Sequence, residues 1–484
     1  MRSFGFPKPS AGAVDRWSLA GVMSLTGFFL LSNLYIASHR LFWYDEVFTT
    51  LTTRMPDWHT VWRALVEDGG DPSPMGFFIV ARTFDRLFGP SEIGIRLPSA
   101  LAMAAGMLFT YDCARRVTDR LHGFLAAAVL TCSYLTYYGY EGRAYALFFM
   151  FSAAALWAWL GGRSNFIIAA LFLLGVQVHY YLVLSLVPFA AEEALHWRPW
   201  RRPSSRLMSA ILGAAAGMLV LLPQILQSRR VGSKWWAPAA GSLVPPIYTE
   251  FFPAGLFLLS LAALWIMLNE PASPVLVKPV SSAERTAWFS LAIPLAGYVL
   301  AKLVTHAFLD RYFIGLLPGV AVGFACTLYR RFPGHRRVPV GILLLLLGYG
   351  VRAQTLTLRH IDQIEAYGPA QQRTRAVLAL EEQFWSRGKR YFVIDFVDRE
   401  SLLFLEARYY SKHPERYVYW LHKDPLPPPS RYYPMQTWGL DEVVKRSGEA
   451  VFVDLAPQSR EALQQAGIVL TDRKAGPLAL TYRN

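Results

Sequence analysis

Apolar residues in this chain fall into repeated long blocks and do not alternate regularly with polar residues. The blocks recur from about residue 17 to about residue 351. A helical block of about 20 apolar residues matches the hydrocarbon thickness of a bilayer. The pattern predicts about eleven spans, centred near residues 28, 105, 129, 152, 172, 187, 217, 260, 296, 320 and 344. Residues 1–352 are therefore predicted to form a polytopic α-helical membrane domain.

The pattern changes after Arg352, where short apolar runs and short periodic stretches predict a small soluble α/β domain over residues 353–484. The predicted strands are 391–396, 416–421, 450–455 and 467–471, and the predicted helices are 399–410, 441–446 and 458–466. The domain contains no glycine-rich phosphate fingerprint, which argues against nucleotide binding. We expect it to engage an acceptor or to hold the loops of the membrane domain.

Composition agrees with a membrane protein and excludes two other classes. Hydrophobic residues make up 54% of the chain and charged residues 17%. The formal charge is +14, but the basic residues form short clusters between apolar blocks, so nucleic acid is not an expected partner. Cys113, Cys132 and Cys326 lie in apolar segments without metal-ligand spacing. No disulfide framework or zinc site follows from them.

The basic clusters also predict the orientation of the spans. They comprise Arg115, Arg116 and Arg120; Arg163; Arg198, Arg201, Arg202 and Arg206; Lys278 and Arg285; and Arg330, Arg331, Arg336 and Arg337. The positive-inside rule places these connections and the basic N-terminus in the cytoplasm. The opposite connections, 39–95, the corners near 141–143 and 179, the loop 228–251 and the corner 306–311, are then outside. An odd number of spans also places residues 353–484 outside, and an even number places them in the cytoplasm.

The N-terminal block and the loop that follows it need separate interpretation. The first block is long for a signal peptide, which favours an uncleaved span. In the long first loop, residues 74–88 predict an amphipathic helix lying in the membrane interface. Asp45 and Glu46 stand in the aromatic run 42–46 directly after the first span. Acids near hydrocarbon persist where they pair, line a polar cavity or act on a substrate; the alternative is an ordinary solvated loop.

Several motifs follow one another on the predicted outer face. They are Tyr44-Asp45-Glu46-Val47; Asp71-Pro72-Ser73-Pro74-Met75, with Leu87-Phe88-Gly89-Pro90-Ser91-Glu92 and Arg96-Leu97-Pro98-Ser99-Ala100; Tyr140-Glu141-Gly142-Arg143-Ala144-Tyr145-Ala146-Leu147; Val178-His179-Tyr180-Tyr181; and Asp310-Arg311-Tyr312 with Leu316-Leu317-Pro318. In this order, over about the first 330 residues, the chain resembles the GT-C class of membrane glycosyltransferases, in the branch of bacterial aminoarabinose transferases and protein O-mannosyltransferases.

The chain departs from the family pattern at two places. The family usually has His-Pro-Pro-Leu where this chain has Asp71-Pro72-Ser73-Pro74-Met75, and Glu-Ala-Arg-Pro-Tyr where this chain has Gly142 and Ala144. The resemblance implies the GT-C fold and inverting transfer of a hexose or pentose from a polyprenyl-phosphate carrier. The acceptor would be a hydroxyl of a glycan, glycolipid, lipid or protein, at the periplasmic or outer face of a bacterial inner membrane.

The chemistry implied by this resemblance assigns roles to the motif residues. An acceptor hydroxyl is a poor nucleophile and needs a carboxylate to take its proton, which makes Asp45 the predicted general base, with Glu46 beside it as a second catalytic candidate. A departing lipid phosphate needs positive charge, and the planar fork of arginine binds phosphate oxygens in pairs. Arg143 and Arg311 are therefore the predicted donor-binding residues.

Other candidates keep two interpretations each. Lys302 is a third phosphate-binding cation or a lysine that snorkels to the interface. His179 contacts phosphate or acceptor, or is hydrogen-bonded between helix ends. Glu141 orients Asp45, binds sugar hydroxyls or forms a salt bridge with Arg143. With Asp45 it could also ligate a divalent cation, Mg²⁺ or Mn²⁺. Tyr44 and Tyr145 are predicted substrate contacts.

Rival functions remain open at this point. A lipid or glycolipid transporter would also carry intramembrane charge, but such proteins commonly show paired repeats and broken midplane helices, and this sequence shows neither. A membrane scaffold would not require Asp45, Glu141 and Arg143 together. Among the enzymes, a glycosyltransferase acting on protein serine or threonine is the alternative to one acting on a glycan or lipid.

Overall fold

A computed structural model describes residues 13–68, 71–196, 202–232, 239–251, 279–332, 336–361, 368–395, 403–422, 430–433 and 435–483. The predicted span near residue 260 lies outside the described residues. So do residues 399–402 of one predicted helix and the basic residues Arg198, Arg201 and Lys278.

The helices up to residue 359 are numbered in chain order over the described residues. They are α1 (Ala13–His39), α2 (Tyr44–Thr53), α3 (Trp58–Arg63), α4 (Met75–Phe88), α5 (Glu92–Val117), α6 (Arg120–Thr131), α7 (Leu135–Tyr138), α8 (Tyr145–Leu160), α9 (Asn165–Val178), α10 (Val187–Ala194), α11 (Ser205–Val220), α12 (Leu222–Gly232), α13 (Val244–Phe251), α14 (Ser282–Trp288), α15 (Ile293–Leu300), α16 (Leu317–Arg331) and α17 (Arg337–Arg359). The amphipathic helix predicted at 74–88 is present as α4.

Within the described residues, five helical segments are long and apolar enough to cross a membrane. They are Arg16–His39, Glu92–Val117, Ser282–Thr305, Asp310–Arg331 and Arg337–Arg359. A sixth is possible if α11 and the helix after it, which are bent by 68°, form one broken span. Of the other predicted spans, those near 129, 152 and 172 are the shorter apolar helices α6, α8 and α9. The one near 187 is a 3₁₀ helix, Tyr180–Leu186, that continues into α10. The chain is thus a multi-pass helical membrane protein.

The chain divides into two compact units. The helical unit comprises residues 1–38 and 72–359, and the sheet unit comprises residues 39–71 and 360–484. Most of the predicted first outer loop, including α2 and α3, therefore groups with the C-terminal part of the chain.

Glycines allow α9 and α11 of the helical unit to pack closely. A Cβ atom added to Gly213 of α11 would lie 2.2 Å from the carbonyl oxygen of Ala169 in α9, and one added to Gly217 would lie 3.0 Å from that of Leu173. Glycines four residues apart lie on one helix face and let two backbones approach closely. Ser164 and Ser204 start these two helices by accepting backbone N–H groups.

Two buried glutamates are paired with arginines in the helical unit. Arg330 donates from Nε to Glu284 Oε2 at 2.9 Å and from Nη2 to Oε1 at 3.0 Å. Arg285 makes the same kind of two-pronged contact with Glu192, at 3.1 and 2.7 Å. Both carboxylates are buried. Such pairs leave a costly uncompensated charge when one partner is removed.

The sheet unit contains a six-stranded sheet flanked by helices. Its further elements are α18 (Gly368–Trp385), β1 (Tyr391–Asp395), α19 (Leu403–Tyr410), β2 (Tyr417–Trp420), β3 (Gln436–Trp438), α20 (Leu440–Arg446), β4 (Ala450–Val453), α21 (Pro457–Gln465), β5 (Leu470–Ala475) and β6 (Leu478–Arg483). The strand order is β3-β2-β1-β4-β6-β5, with β1 to β4 parallel to one another and β6 antiparallel to both of its neighbours, β4 and β5. Val393, Val418 and Phe452 are in its core.

The predicted α/β character of the C-terminal part is confirmed, with differences in detail. Three predicted strands correspond to β1, β2 and β4, and three predicted helices to α19, α20 and α21. The strand predicted at 467–471 begins later, at Leu470, because the turn with positive φ at Gly467 precedes it. The pattern did not predict α18, β3 or β6.

The segment 39–71 is bound to the C-terminal elements by polar contacts. The backbone N–H of Phe42 donates to the Tyr410 hydroxyl at 2.7 Å, and Gln371 of α18 donates to the Leu41 carbonyl at 2.9 Å. Thr52 and Tyr433 share a hydrogen bond of 2.8 Å between their hydroxyls. These contacts join residues more than 300 positions apart in the sequence.

Candidate functional site

His179 lies at the corner between α9 and the 3₁₀ helix Tyr180–Leu186, in the helical unit. Its ring stacks on Phe148, with 4.7 Å between centroids and 7° between planes. The backbone N–H of Tyr181 donates to His179 Nδ1 at 3.3 Å. A neutral imidazole that accepts at Nδ1 carries its proton on Nε2, which is then the donor.

Aromatic side chains from three elements surround this histidine. The ring centroids of Tyr145, Tyr312 and Tyr181 lie 5.7, 5.6 and 6.0 Å from that of His179. The Arg311 guanidinium lies 5.5 Å from the centroid of the Tyr145 ring. That distance is within the range of a cation–π interaction, which holds the arginine in place.

Arg143 and Arg311 both lie near His179. Burial lowers the pKa of His179 to about 3, and the positive charges of Arg143 and Arg311 lower it further than burial alone. The imidazole is therefore neutral at physiological pH. We name His179, Arg143, Arg311, Tyr145 and Tyr312 the His179 cluster.

The loop between α7 and α8 carries Arg143 and Glu141. The backbone N–H of Arg143 donates to the Glu141 carbonyl at 2.8 Å, and the Ser99 hydroxyl of α5 donates to the Arg143 carbonyl at 3.1 Å. Both the Arg143 and Glu141 side chains are buried. These contacts fix the loop backbone against α5 and therefore fix the backbone of Arg143.

A carboxyl pair next to Arg311 was missed by the sequence reasoning. Asp310 precedes Arg311, and its side chain is hydrogen-bonded to that of Glu250 in α13. Burial, and then the nearby Asp310 charge, raise the pKa of the Glu250 carboxyl. Asp310 is part of a motif, but Glu250 lies outside the motifs, so only the folded structure pairs them.

Lys302 differs from the two arginines in its surroundings. It lies in a short π-helix, Ala301–Thr305, at the end of an apolar segment. Its side chain is exposed, and its ammonium lies 5.9 Å from the centroid of the Tyr298 ring. This arrangement is typical of a lysine that extends toward the membrane interface.

The remaining predicted catalytic residues belong to the sheet unit. Tyr44, Asp45 and Glu46 form the first turn of α2. The buried Glu46 accepts the backbone N–H of Trp43 at 3.2 Å, which satisfies one N–H group at the helix start. The Tyr44 ring packs edge-on against Phe48 at 5.0 Å. Asp45 is half-buried.

The described residues do not provide a set of ligands for the predicted metal site. Among the described residues, no group of three or more His, Cys, Asp or Glu side chains is arranged to hold a metal ion. A divalent cation at Asp45 and Glu141 stays a prediction.

Comparisons with known proteins agree with the resemblance seen in the sequence. Residues 71–226 match the family model described as dolichyl-phosphate-mannose-protein mannosyltransferase. No curated protein sequence is significantly similar to the chain. Among solved structures, ArnT from Cupriavidus metallidurans in the apo state is similar, with 14% identity, a TM-score of 0.58 and coverage of 97% of this chain and 98% of that one.

The same ArnT bound to undecaprenyl phosphate is also similar, with 13% identity, a TM-score of 0.57 and the same coverage of both chains. The likeness extends over nearly the full length, so it includes the C-terminal part that no sequence motif covered. The resemblance to GT-C class membrane glycosyltransferases is therefore confirmed, and the chain has the GT-C fold.

Proposed function

We propose that this chain transfers a sugar from a polyprenyl-phosphate carrier to an acceptor hydroxyl at the outer face of a bacterial inner membrane, with inversion at the anomeric carbon. The observation that carries the proposal is the His179 cluster in a chain with the GT-C fold. There, two arginines lie beside one neutral, buried imidazole. Fixed positive charge in a site with little water suits a phosphate group.

Arg143 and Arg311 have the donor-binding role in this proposal. Their guanidinium groups bind the phosphate oxygens and stabilise the negative charge that grows as the sugar leaves. Arg311 is kept in place by the Tyr145 ring. Nε2–H of His179 is available to donate a hydrogen bond, since Nδ1 accepts from Tyr181. His179 thus supplies a hydrogen bond and no charge.

Asp45 is the proposed general base. The acceptor oxygen forms a bond to the anomeric carbon while the bond from that carbon to the phosphate oxygen breaks, and its electron pair stays on the phosphate. The proton of the acceptor hydroxyl passes to the Asp45 carboxylate. Glu46 helps to fix the start of α2, which carries Asp45.

Two relatives inform the choice of substrate. The ArnT structure that contains undecaprenyl phosphate supports a polyprenyl phosphate as the carrier. The family model over residues 71–226 is described by its transfer of mannose to protein, which favours a protein hydroxyl as the second candidate acceptor. The basic clusters assigned to the cytoplasm support an active site that faces the periplasm.

The test is a transfer assay with the purified full-length protein in nanodiscs. Candidate polyprenyl-phosphate sugars and acceptors are screened with the wild type, and the active pair is then used with Asp45→Asn. We expect the variant to lose at least about 100-fold in turnover, as for removal of a general base. It should keep its affinity for the polyprenyl phosphate.

Asp57→Asn is the matched control. Asp57 is exposed and accepts the Thr60 N–H at the start of α3 in the same loop segment, and asparagine is an equally good helix cap. Its activity should equal that of the wild type. Full activity of Asp45→Asn would contradict the base assignment, and failure of the wild type with every polyprenyl-phosphate donor would contradict the transferase proposal.

A further inference from the structure

One carboxyl group joins three helices of the sheet unit. Glu406 of α19 is 2% exposed, and it accepts the Thr374 hydroxyl of α18 at 3.0 Å. It also accepts the backbone N–H of Tyr44, the first residue of α2. The first N–H groups of a helix have no acceptor within the helix, and Glu406 supplies an acceptor for this one. Glu406 is thus attached to the turn that contains Asp45.

The charges around Glu406 favour its protonated form. Arg40 and Glu46 both act electrostatically on Glu406, and both are almost fully buried. Two ionised carboxylates with one guanidinium would leave net negative charge where water is excluded, which is costly. One proton on a carboxylate makes the net charge of these three side chains zero. Burial raises the pKa of Glu406 to about 8 and Glu46 adds to this, while Thr374, Arg40 and the Tyr44 N–H oppose it.

Three other charged groups on α18 and α19 have partners elsewhere. They are Arg373 of α18 with Asp454, Glu381 of α18 with the Tyr417 hydroxyl, and Arg408 of α19 with the Pro414 carbonyl. Arg40 and Glu46 are the charged groups that act on Glu406 electrostatically.

The same helix also contacts α2 at both ends. The Tyr410 hydroxyl accepts the N–H of Phe42, just before α2. The Arg54 guanidinium, just after α2, donates to the Tyr409 hydroxyl at 2.6 Å. Helix α19 therefore holds α2 at its start, at its end and, through Glu406, at the turn of the predicted base.

We propose that Glu406 is a positioning residue that holds the first turn of α2, and with it Asp45, in the orientation needed for catalysis. This inference rests on the proposed function, because it gives Asp45 the role of base. It assigns the C-terminal part of the chain the task of fixing the catalytic helix.

The proton on Glu406 makes the attachment dependent on pH in one direction. The pKa of Glu406 is raised above its ordinary value of 4.5 when α2 is packed. The stabilisation is therefore full below about pH 4.5 and falls as the pH rises toward about 8, above which it stays lost. Glutamine is a neutral isostere of the protonated carboxyl group and does not titrate, so Glu406→Gln should remove this dependence.

Amide hydrogen exchange in the full-length protein tests the attachment directly. In the wild type, after correction for the chemical exchange rate, protection of peptides covering residues 43–53 should fall at least about tenfold between pH 5 and pH 8. In Glu406→Gln it should stay constant. Glu381→Gln, which changes another buried glutamate of the same unit, should behave like the wild type. Equal pH dependence in the wild type and Glu406→Gln would overturn the inference.

The pH profile of transfer separates positioning from a merely structural role. Turnover of the wild type should decline as the pH approaches and passes 8, and Glu406→Gln should remove that decline while keeping activity at pH 7. An unchanged alkaline profile in Glu406→Gln would refute positioning even if the exchange result held. Full activity of Asp45→Asn would refute the proposed function instead, and the exchange comparison would still decide whether Glu406 holds α2.

Discussion

Each of the two units contains a buried titratable side chain that is neutral, but the histidine is neutral because it loses a proton and the glutamate because it keeps one. In the helical unit, a buried imidazole lies near two arginines and loses its proton, so His179 is neutral. In the sheet unit, a buried carboxyl lies near a second glutamate and keeps its proton, so Glu406 is neutral at pH 7. In both cases burial is the largest cause and a nearby like charge is a further one.

The outcome differs because the fixed charges differ. Arginine keeps its charge in proteins, so Arg143 and Arg311 stay positive beside a neutral His179, which is the arrangement that the proposed phosphate binding uses. Around Glu406, the proton leaves one carboxylate charge to balance the one guanidinium charge of Arg40. A neutral set of side chains favours tight packing. The helical unit is therefore suited to binding an anion and the sheet unit to holding a helix still.

The largest expected effect distinguishes an arginine that stabilises the fold from the arginines that are proposed to bind phosphate. Arg330→Ala should remove the partner of buried Glu284 and destabilise the helical unit by about 3 kcal/mol or more. The affinity of the protein that remains folded for polyprenyl phosphate should not change. Thermal unfolding in nanodiscs measures the loss, with the exposed neighbour Arg331→Ala as the control. Equal melting temperatures for the two variants would show that the pair contributes little.

The next effect concerns the two arginines of the His179 cluster. Arg143→Ala and Arg311→Ala should each weaken polyprenyl-phosphate binding by about 10-fold to 100-fold, since each removes a charge-assisted hydrogen bond. Titration of the lipid phosphate into the nanodisc protein measures this, with Arg163→Ala on the predicted cytoplasmic side as the control. If Arg163→Ala lost as much affinity for polyprenyl phosphate as the two cluster variants, the binding role of Arg143 and Arg311 would be contradicted.

A smaller effect is expected at Lys302. Because its side chain is exposed and extends over the Tyr298 ring, Lys302→Gln should change polyprenyl-phosphate affinity by less than about twofold. The same titration provides the measurement. A tenfold loss would restore Lys302 as a third phosphate ligand.

The smallest effect is an expected lack of pH response from His179. A histidine of ordinary pKa near 6.5 would lose its charge, and some anion affinity, as the pH rises through that value. With its pKa lowered to about 3, His179 is already neutral from pH 5 to pH 8. Polyprenyl-phosphate titrations of the wild type and His179→Gln should therefore have pH profiles of the same shape. An additional loss of affinity near pH 6.5 in the wild type would contradict a neutral imidazole.

Local periodicity predicted much of the fold. Apolar blocks identified the long helices, and the amphipathic pattern at 74–88 predicted α4. Short β-rich runs predicted the central strands β1, β2 and β4. The pattern did not predict β3, which has only three residues, or β6, which pairs with β5 across a short turn and with β4 on its other side. The span count exceeded the long helices described because several apolar blocks fold as shorter helices.

Contacts between residues far apart in the chain could not be predicted from the sequence. Nothing local in residues 39–71 indicates that they pack on α18 and α19, because the contacts of Phe42 and Arg54 are with tyrosines more than 350 positions away. The motifs did identify Arg143, Arg311 and His179, which the fold brings together. Glu250 and Glu406 could not be identified, since their protonation depends on burial and on neighbours from other elements.

A structure of the purified protein in nanodiscs with added polyprenyl phosphate tests the central claim most directly. We predict density for the phosphate within hydrogen-bond reach of Arg143 or Arg311, next to Nε2 of His179. Phosphate density at another place, with the His179 cluster closed to the lipid, would contradict the account and direct attention to transport.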